Sequence, residues 1–579
     1  MTRPSVMTDL SINERRCSAG PGHDPMAAKD NDVCETVKRP AARTSLILMI
    51  LVGAGIVYYA ALSTENFGRA HDDSIYVTTA KALATGQGYR IISLPFEPAQ
   101  TKYPPFYPFL LSLIWKLYPQ FPQNLIPMML LTVAATLGFL AVSYWYMVRN
   151  KYANRWQALV VLALAAVNWR TVALVTTLYS EMVYAVLSVL ALYLAEEYEK
   201  QDRGWLLAAL TGVAIGLSFM TRSLGVTLLI ALAVYSLCQR RWKKALLPLA
   251  IGSVFVIGWA LWCSVNRTTA DGANVAYYTS YVGHINQVIT SLHSQSDTPK
   301  WLVLLGLFGR NILMFTVVSP VVVVLGVDYT PAQYFGFVSL FILAGFIRQA
   351  RQGFRLLHIY ILCYIAMAAL VPFPSYDRYL VPLLPFILLF IVVEAGRLSI
   401  LIRNEFLKNG RIIRQFSAAF IGLALLISAG TILYNHCSEV FQRIGPFHKI
   451  VKPAPEDAEA IEWINQNTNS SDVLVCYHDP AYFLYTGRKA SRSLPMEEWV
   501  DWREDRTSVE TVRDLVFRTL EQDKGRYLVV TSADFEAEDQ TGRYGRVLGS
   551  IIDSHPDKFT PVFNSGDGRS RIFRVEDVE

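Results

Sequence analysis

The feature that most limits what this chain can fold into is a series of long apolar runs almost without charge. "SLILMILVGAGIVYYAAL" (45–62), "LIPMMLLTVAATLGFLAVSYWYM" (125–147), "LVVLALAAVNW" (159–169) and "WLLAALTGVAIGLSFM" (205–220) are examples. Such runs suit the hydrocarbon core of a bilayer, which a helix of about 20 apolar residues crosses with its backbone groups satisfied internally. By this criterion about 12 to 13 segments up to residue 434 read as spans. Composition agrees: 17% of the 579 residues are charged, against roughly a quarter in ordinary soluble proteins. The class expected is a polytopic α-helical membrane protein.

The first run follows a polar stretch, 1–44, that reads as a disordered cytoplasmic tail. It is too long for a signal-peptide core and lacks a small-residue cleavage site, so it reads as a span. Several short connections are basic: "RNKYANR" (149–155), "QRRWKK" (239–244), "RQARQGFR" (348–355) and "RNEFLKNGRIIR" (403–414). The positive-inside rule assigns them to the cytoplasm. The polar loops 64–104 and 266–300 then lie on the opposite side, with residues 45–434 forming the membrane domain between and around them. "PFYPFLLSLIWKLYP" (105–119) is short for a span and reads as a juxtamembrane or re-entrant helix. The net charge of +6 follows from the basic loops, and no nucleic-acid partner is needed to explain it.

Residues 435–579 have the composition and length of a soluble domain. A capped helix in "APEDAEAIEWINQNTNSSD" and strands at 473–477, 526–530 and 570–576 predict a small extracytoplasmic α/β domain. The seven cysteines are scattered without a C-x-x-C pair, which leaves a zinc site and a redox motif unsupported; Cys437 and Cys476 read as free thiols.

Ionisable groups recur at the non-cytoplasmic ends of the expected spans. Asp72 and Asp73 open the first external loop, Lys102 and Tyr103 end it, and Glu181, Arg222, Asp377 and Arg378 stand at span mouths. Each has an ordinary structural explanation: an Asp can cap a helix, a Glu can pair with a neighbouring Arg, and an Arg can snorkel to the interface. Tyr76, Tyr103 and Tyr107 could form an aromatic belt. Their convergence on one side of the membrane points to a site, because ionisable groups at that depth are costly. Phosphate-loop, serine-hydrolase, zincin and dinucleotide motifs are absent from the sequence.

"HDDSIYVTTAKALATGQGY", then "KYPPFYPFLLSLIWKLY", resembles the opening of GT-C membrane glycosyltransferases, closest to bacterial lipid A aminoarabinose transferases and protein O-mannosyltransferase relatives. The ordered set comprises Asp72-Asp73-x-x-Tyr76, Tyr103-Pro104-Pro105, Glu181 and Arg378-Tyr379-x-x-Pro382-x-x-Pro385, and "YFLYTGR" (482–488) resembles their external C-terminal domain. The resemblance implies a GT-C fold in a bacterial plasma membrane and an inverting transfer on the non-cytoplasmic side. The donor would be a polyprenyl-phosphate sugar; the acceptor, whether lipid, glycan or protein, stays open. Asp72 would be the base, beside Asp73. Lys102, Tyr103, Arg222, Arg378 and Tyr379 would hold the donor phosphate. Glu181 would assist positioning or, with the Asp pair, bind a divalent cation (Mg or Mn). A transporter or flippase of a lipid-linked sugar is the alternative, disfavoured because the charged set lies at one boundary and no inverted repeat is evident.

Overall fold

The computed structural model describes residues 31–69, 71–201, 204–267, 277–283, 285–286, 289–290, 299–327, 336–371, 376–407, 430, 434–438, 455–493, 509–532, 534 and 543–576. Met1–Met49 and Ile50–Glu579 form two compact units. Of the expected tail, 1–30 lies outside the described residues, and from Asn31 the chain is helical in α1 (Asn31–Ala60).

Ten helices carry the chain to residue 265. After α1 come α2 (Asp72–Ala84), α3 (Phe106–Leu117), α4 (Leu125–Arg149), α5 (Arg155–Val167) and α6 (Trp169–Val175). They are followed by α7 (Glu181–Glu199), α8 (Trp205–Thr221), α9 (Val226–Cys238) and α10 (Trp242–Val265). The helices α4, α7, α8 and α10 pack side by side in that order. Among the described residues, four helices are long and apolar enough to cross a membrane, and a fifth if α5 and α6 count as one bent span. Shorter apolar helices include α3, α8 and Leu356–Ala368. The apolar runs are thus helical, and the chain is an integral membrane protein. Residues 408–429, toward the end of the expected membrane domain, lie outside the described residues.

Where a run breaks, a polar residue breaks it. The run 159–169 reads as continuous, yet α5 and α6 meet at 56°. The Asn168 side chain accepts from the N–H groups of Arg170 and Thr171 and so starts a new helix, while its amide donates to the Val323 carbonyl at 2.8 Å. The bend brings Arg170 to Asp377 as an ion pair.

The C-terminal region forms a five-stranded sheet of order β2-β1-β3-β5-β4. Its strands are β1 (Val473–Cys476), β2 (Ala490–Arg492), β3 (Gly525–Thr531), β4 (Phe559–Asn564) and β5 (Ser570–Val575). β1 pairs in parallel with β2 and β3, and β5 pairs antiparallel with β3 and β4. Alternation along β1 sends Val475 to one face, under Val512, Val516 and Leu520, and Leu474 and Cys476 to the other, against Ile461 and Ile464. The expected strands are all present. β2 and β4 were not legible: β2 is a three-residue polar "ASR", and β4 carries Pro561, tolerable only on the edge strand that it forms. Cys437 and Cys476 are free thiols.

This domain is docked on the loop 64–104. Ala490 N–H donates to the Ser93 carbonyl at 2.9 Å, and Lys489 reaches the Ile92 carbonyl at 2.6 Å and pairs with Glu97. Orientation in the membrane can be checked at Gln87, exposed in that loop, and Arg351, exposed beside the basic 348–355 connection; Ser74 is buried and makes no reporter. In a cysteine-free background, Gln87→Cys is expected to react with a membrane-impermeant maleimide on intact cells. Arg351→Cys should react only after permeabilisation. Reversed labelling would overturn the orientation expected from the basic loops.

Candidate active site

Four helix termini and breaks supply the charged groups. After α8 the chain extends at Arg222 (φ −147°, ψ 135°), passes one turn of 3-10 helix, Ser223–Gly225, and enters α9. Gly225 is required there, since a Cβ would lie 2.4 Å from the Phe219 nitrogen. Glu181 is the first residue of α7, where a carboxylate suits the positive end of the helix. Arg378 sits in the short helix Tyr376–Leu380, ahead of a turn containing Pro382. Asp72 and Asp73 occupy the first turn of α2 and do not cap it: His71 is the cap position and makes no side-chain cap bond.

These groups form a chain of alternating charge. Asp72 Oδ2 is 2.9 Å from Arg378 Nη2; Arg378 Nε meets Glu181 Oε1; and Glu181 Oε1 is 2.6 Å from Arg222 Nη1. Glu181 is 1% exposed, so it is ionised at little cost only because two guanidinium groups face it. Tyr103 Oη donates to Asp72 Oδ1 at 2.6 Å, and the Arg378 guanidinium stacks on Tyr179 at 3.7 Å. Asp377 is taken by Arg170 and leaves Arg378 to this chain.

Beside it lies a cavity of about 1420 Å³. Tyr76, Lys102, Tyr103, Arg222 and Tyr379 line it, so five of the residues anticipated from sequence border one cavity. Asp72, Asp73, Glu181 and Arg378 do not line it. Asp72 stands one hydrogen bond behind Tyr103; Arg378 and Glu181 stand behind Arg222. Lys102 is buried at 4% exposure, donates to the Tyr277 carbonyl at 2.6 Å, and has the Tyr277 ring 4.1 Å from its ammonium. Arg267 and, from the helix Val509–Gln522 of the C-terminal domain, Arg518 complete the charged lining. Sequence reasoning missed both, along with Tyr281. Arg518 lies 139 positions beyond Tyr379 and 416 beyond Lys102, and only the folding of the C-terminal domain onto the membrane domain brings it there. Every charged residue of the described lining is a cation.

Burial pushes the Asp72 carboxyl up, but the Arg378 charge and the Tyr103 hydroxyl outweigh it, and the group ionises below the usual Asp value. Asp73 behaves oppositely. Burial raises it to about 7, against the pull of the Gly68 and Ser74 N–H groups that its oxygens accept. Burial likewise lowers Lys102 to about 7, partly offset by Asp72. Asp72, Asp73 and Glu181 do not gather as a metal-ligand set: no group of three His, Cys, Asp or Glu does so among the described residues. Two of the three carboxylates face guanidinium groups instead.

Residues 102–264 match the family model described as dolichyl-phosphate-mannose-protein mannosyltransferase. No curated protein sequence matches the chain. Among solved structures, the oligosaccharyltransferase of Archaeoglobus fulgidus tethered with an acceptor peptide is 12% identical, covering 92% of this chain and 74% of its own, with a TM-score of 0.51. ArnT from Cupriavidus metallidurans in the apo state is also 12% identical, covering 92% and 98%, with a TM-score of 0.50. The chain has the GT-C fold, as the resemblance of its motifs implied.

The raised Asp73 group carries a stability consequence. Between about pH 4 and pH 7 the folded protein holds its proton and the unfolded chain does not, so stability falls as pH rises through that window and levels off above it. Asp73→Asn removes the buried charge. Its stability relative to the wild type is therefore expected to grow from pH 4 to pH 7, by on the order of 4 kcal/mol, with the melting temperature rising accordingly, and to hold that gain at pH 8. A gap that does not change with pH would show that Asp73 is not protonated in the folded state near neutrality.

Proposed function

We propose that the protein is an inverting glycosyltransferase that moves a sugar from a polyprenyl-phosphate donor to an acceptor on the non-cytoplasmic side of the membrane. The observation that carries this reading is the cavity: a cationic wall beside a membrane domain, with the Asp72 carboxylate one hydrogen bond behind it. The family model matched by residues 102–264 names a dolichyl-phosphate sugar, and the cations suit such a donor.

In a single displacement, the acceptor oxygen forms a bond to the anomeric carbon as the bond from that carbon to the phosphate oxygen breaks. The phosphate leaves with the electron pair and gains a negative charge, which preorganised cations stabilise. Lys102 and Arg222 line the cavity and meet that charge. Arg222 spends one nitrogen on Glu181 and keeps further N–H groups for a phosphate. The acceptor proton passes to Asp72, ionised at neutral pH, through the Tyr103 hydroxyl, which lines the cavity and takes that proton as it gives its own to the carboxylate it already donates to. Arg378 thus aims the base while Arg222 and Lys102 face the leaving group.

Purified protein in nanodiscs, given polyprenyl-phosphate hexose or pentose and extracted envelope lipids, glycans or peptides, is expected to release polyprenyl phosphate only when the right acceptor is present. Asp72→Asn keeps the shape of the side chain and cannot take the proton. Turnover should fall by roughly 100-fold or more with the melting temperature near wild type; full activity would remove Asp72 from the role. Binding of polyprenyl phosphate should weaken by about 10-fold as pH rises through about 7, since Lys102 then loses its charge. Lys102→Arg, charged throughout, should bind without that decline.

A further inference from the structure

The strand of chain that delivers Asp72 is held in an unfavourable conformation. His71 has φ 59° and ψ −50°, a region that a residue with a Cβ adopts rarely and at a cost. Its carbonyl nonetheless accepts from Ile75 N–H at 3.1 Å and Ser74 Oγ at 2.8 Å, and so starts α2. What holds the residue there is its side chain.

The imidazole is buried and bonded at both nitrogens. Nδ1 is 2.9 Å from Tyr277 Oη, and Nε2 is 2.9 Å from Asp479 Oδ1. Asp479 is fully buried and opens the helix Asp479–Thr486 of the C-terminal domain; Tyr278 Oη donates to its two oxygens at 2.7 and 2.6 Å. The same helix presses on the chain just before His71. A Cβ on Gly68 would lie 2.5 Å from Ala481 Cβ, and Gly68 has a φ of +92°. Tyr277 faces two ways: its hydroxyl holds His71, and its carbonyl accepts from Lys102 Nζ. Two short paths therefore leave Asp479, one through the His71 backbone to Asp72 and one through Tyr277 to Lys102.

We propose that Asp479 is a positioning residue of the C-terminal domain, acting through His71 and Tyr277 to set the direction of the Asp72 carboxylate and the Lys102 ammonium. The proposal rests on the glycosyl-transfer reading of the cavity. The bonds close in two ways. An ionised Asp479 accepts from His71 Nε2–H while Nδ1 accepts from Tyr277 O–H. A protonated Asp479 donates to Nε2 while Nδ1–H donates to Tyr277 Oη. Burial, which raises Asp479 to about 8 and holds His71 well below its ordinary value, keeps the imidazole neutral in both. Arg492, 5.4 Å from the Tyr277 ring, acts on both groups, His478 and Lys102 act on His71, and Asp523 acts on Asp479. An amide at position 479 can reproduce the second arrangement, donating to Nε2 and accepting from Tyr278.

The test compares four variants of the full chain. Asp479→Ala and Tyr277→Phe are expected to lower kcat by about 10-fold or more and, as the Lys102 ammonium loses its aim, to weaken the Kd for polyprenyl phosphate by up to about 10-fold. Asp479→Asn should restore most of the turnover. Asp472→Ala removes another buried carboxylate of the same domain, which accepts from Asn469 N–H at 2.7 Å and faces Arg526. It should lower the melting temperature and leave the kcat of folded protein unchanged. Hydrogen–deuterium exchange across 71–84 reads the clamp without substrate and should speed up in Asp479→Ala and Tyr277→Phe only. Wild-type kcat and exchange in those two variants, or an equal kcat loss in Asp472→Ala, would overturn the proposal. A wild type that neither binds polyprenyl phosphate nor releases it from a donor would instead bring down the transfer reading, and exchange would still decide the clamp. Should Asp479→Ala fail to fold, Tyr277→Phe, which loses one hydroxyl, carries the same comparison.

Discussion

The chain Asp72–Arg378–Glu181–Arg222 is the interaction on which the arrangement of the membrane domain turns. Each isolated charge would cost several kcal/mol to bury, and pairing recovers that only with close contacts. Here two carboxylates and two guanidinium groups alternate, so the set is neutral within itself. Its members come from the start of α2, the start of α7, the end of α8 and the short helix Tyr376–Leu380. Four elements distant in sequence are thereby fixed at one level. Removing any one charge leaves its partner buried without compensation, so the network specifies a single packing more than it adds stability.

That neutrality also divides the work at the cavity. The carboxylates are spent on the two arginines and stand behind the wall, while Lys102, Arg222, Arg267 and Arg518 are the charges presented to a ligand. An anionic ligand meets a cationic surface without a competing carboxylate. Tyr103 is the link between the layers, lining the cavity with its ring while its hydroxyl holds Asp72. Arg518 belongs to the C-terminal domain, and so does Asp479, which reaches the Asp72 loop from behind through His71. The domain thus contributes to the cavity wall and to the support of the loop that carries Asp72.

Much of this was legible from residues alone. The helical class follows from runs such as 125–147, because few arrangements besides a bilayer-spanning helix bury so long an apolar stretch with its backbone satisfied. Asp72, Glu181, Arg222 and Arg378 were visible as charges where charge is expensive. Lys102 and Tyr103 were visible as polar groups at the end of the first external loop, and Tyr379 only through the resemblance of its motif. Less could be read where a short-range cue was overridden. Asn168 gave no sign that its side chain would cap a new helix and bend the run. Asp72 and Asp73 looked like caps and lie instead inside the first turn. Pro561 argued against a strand and is accommodated at the sheet edge.

Sequence by itself determined the chemistry on offer: apolar helices for a membrane, a mixed α/β tail, and a set of acids and bases at the span mouths. It did so because hydrophobic runs and the cost of misplaced charge are local properties. Tertiary structure alone decided who partners whom. Asp377 could have neutralised Arg378, its neighbour in sequence, yet the bend at Asn168 brings Arg170 to it and releases Arg378 to Asp72 and Glu181. His71 and Asp479 are 408 positions apart and meet only because the C-terminal domain docks on the loop 64–104. Pairing energies depend on distance in space and on burial, and neither is written in the order of residues along the chain.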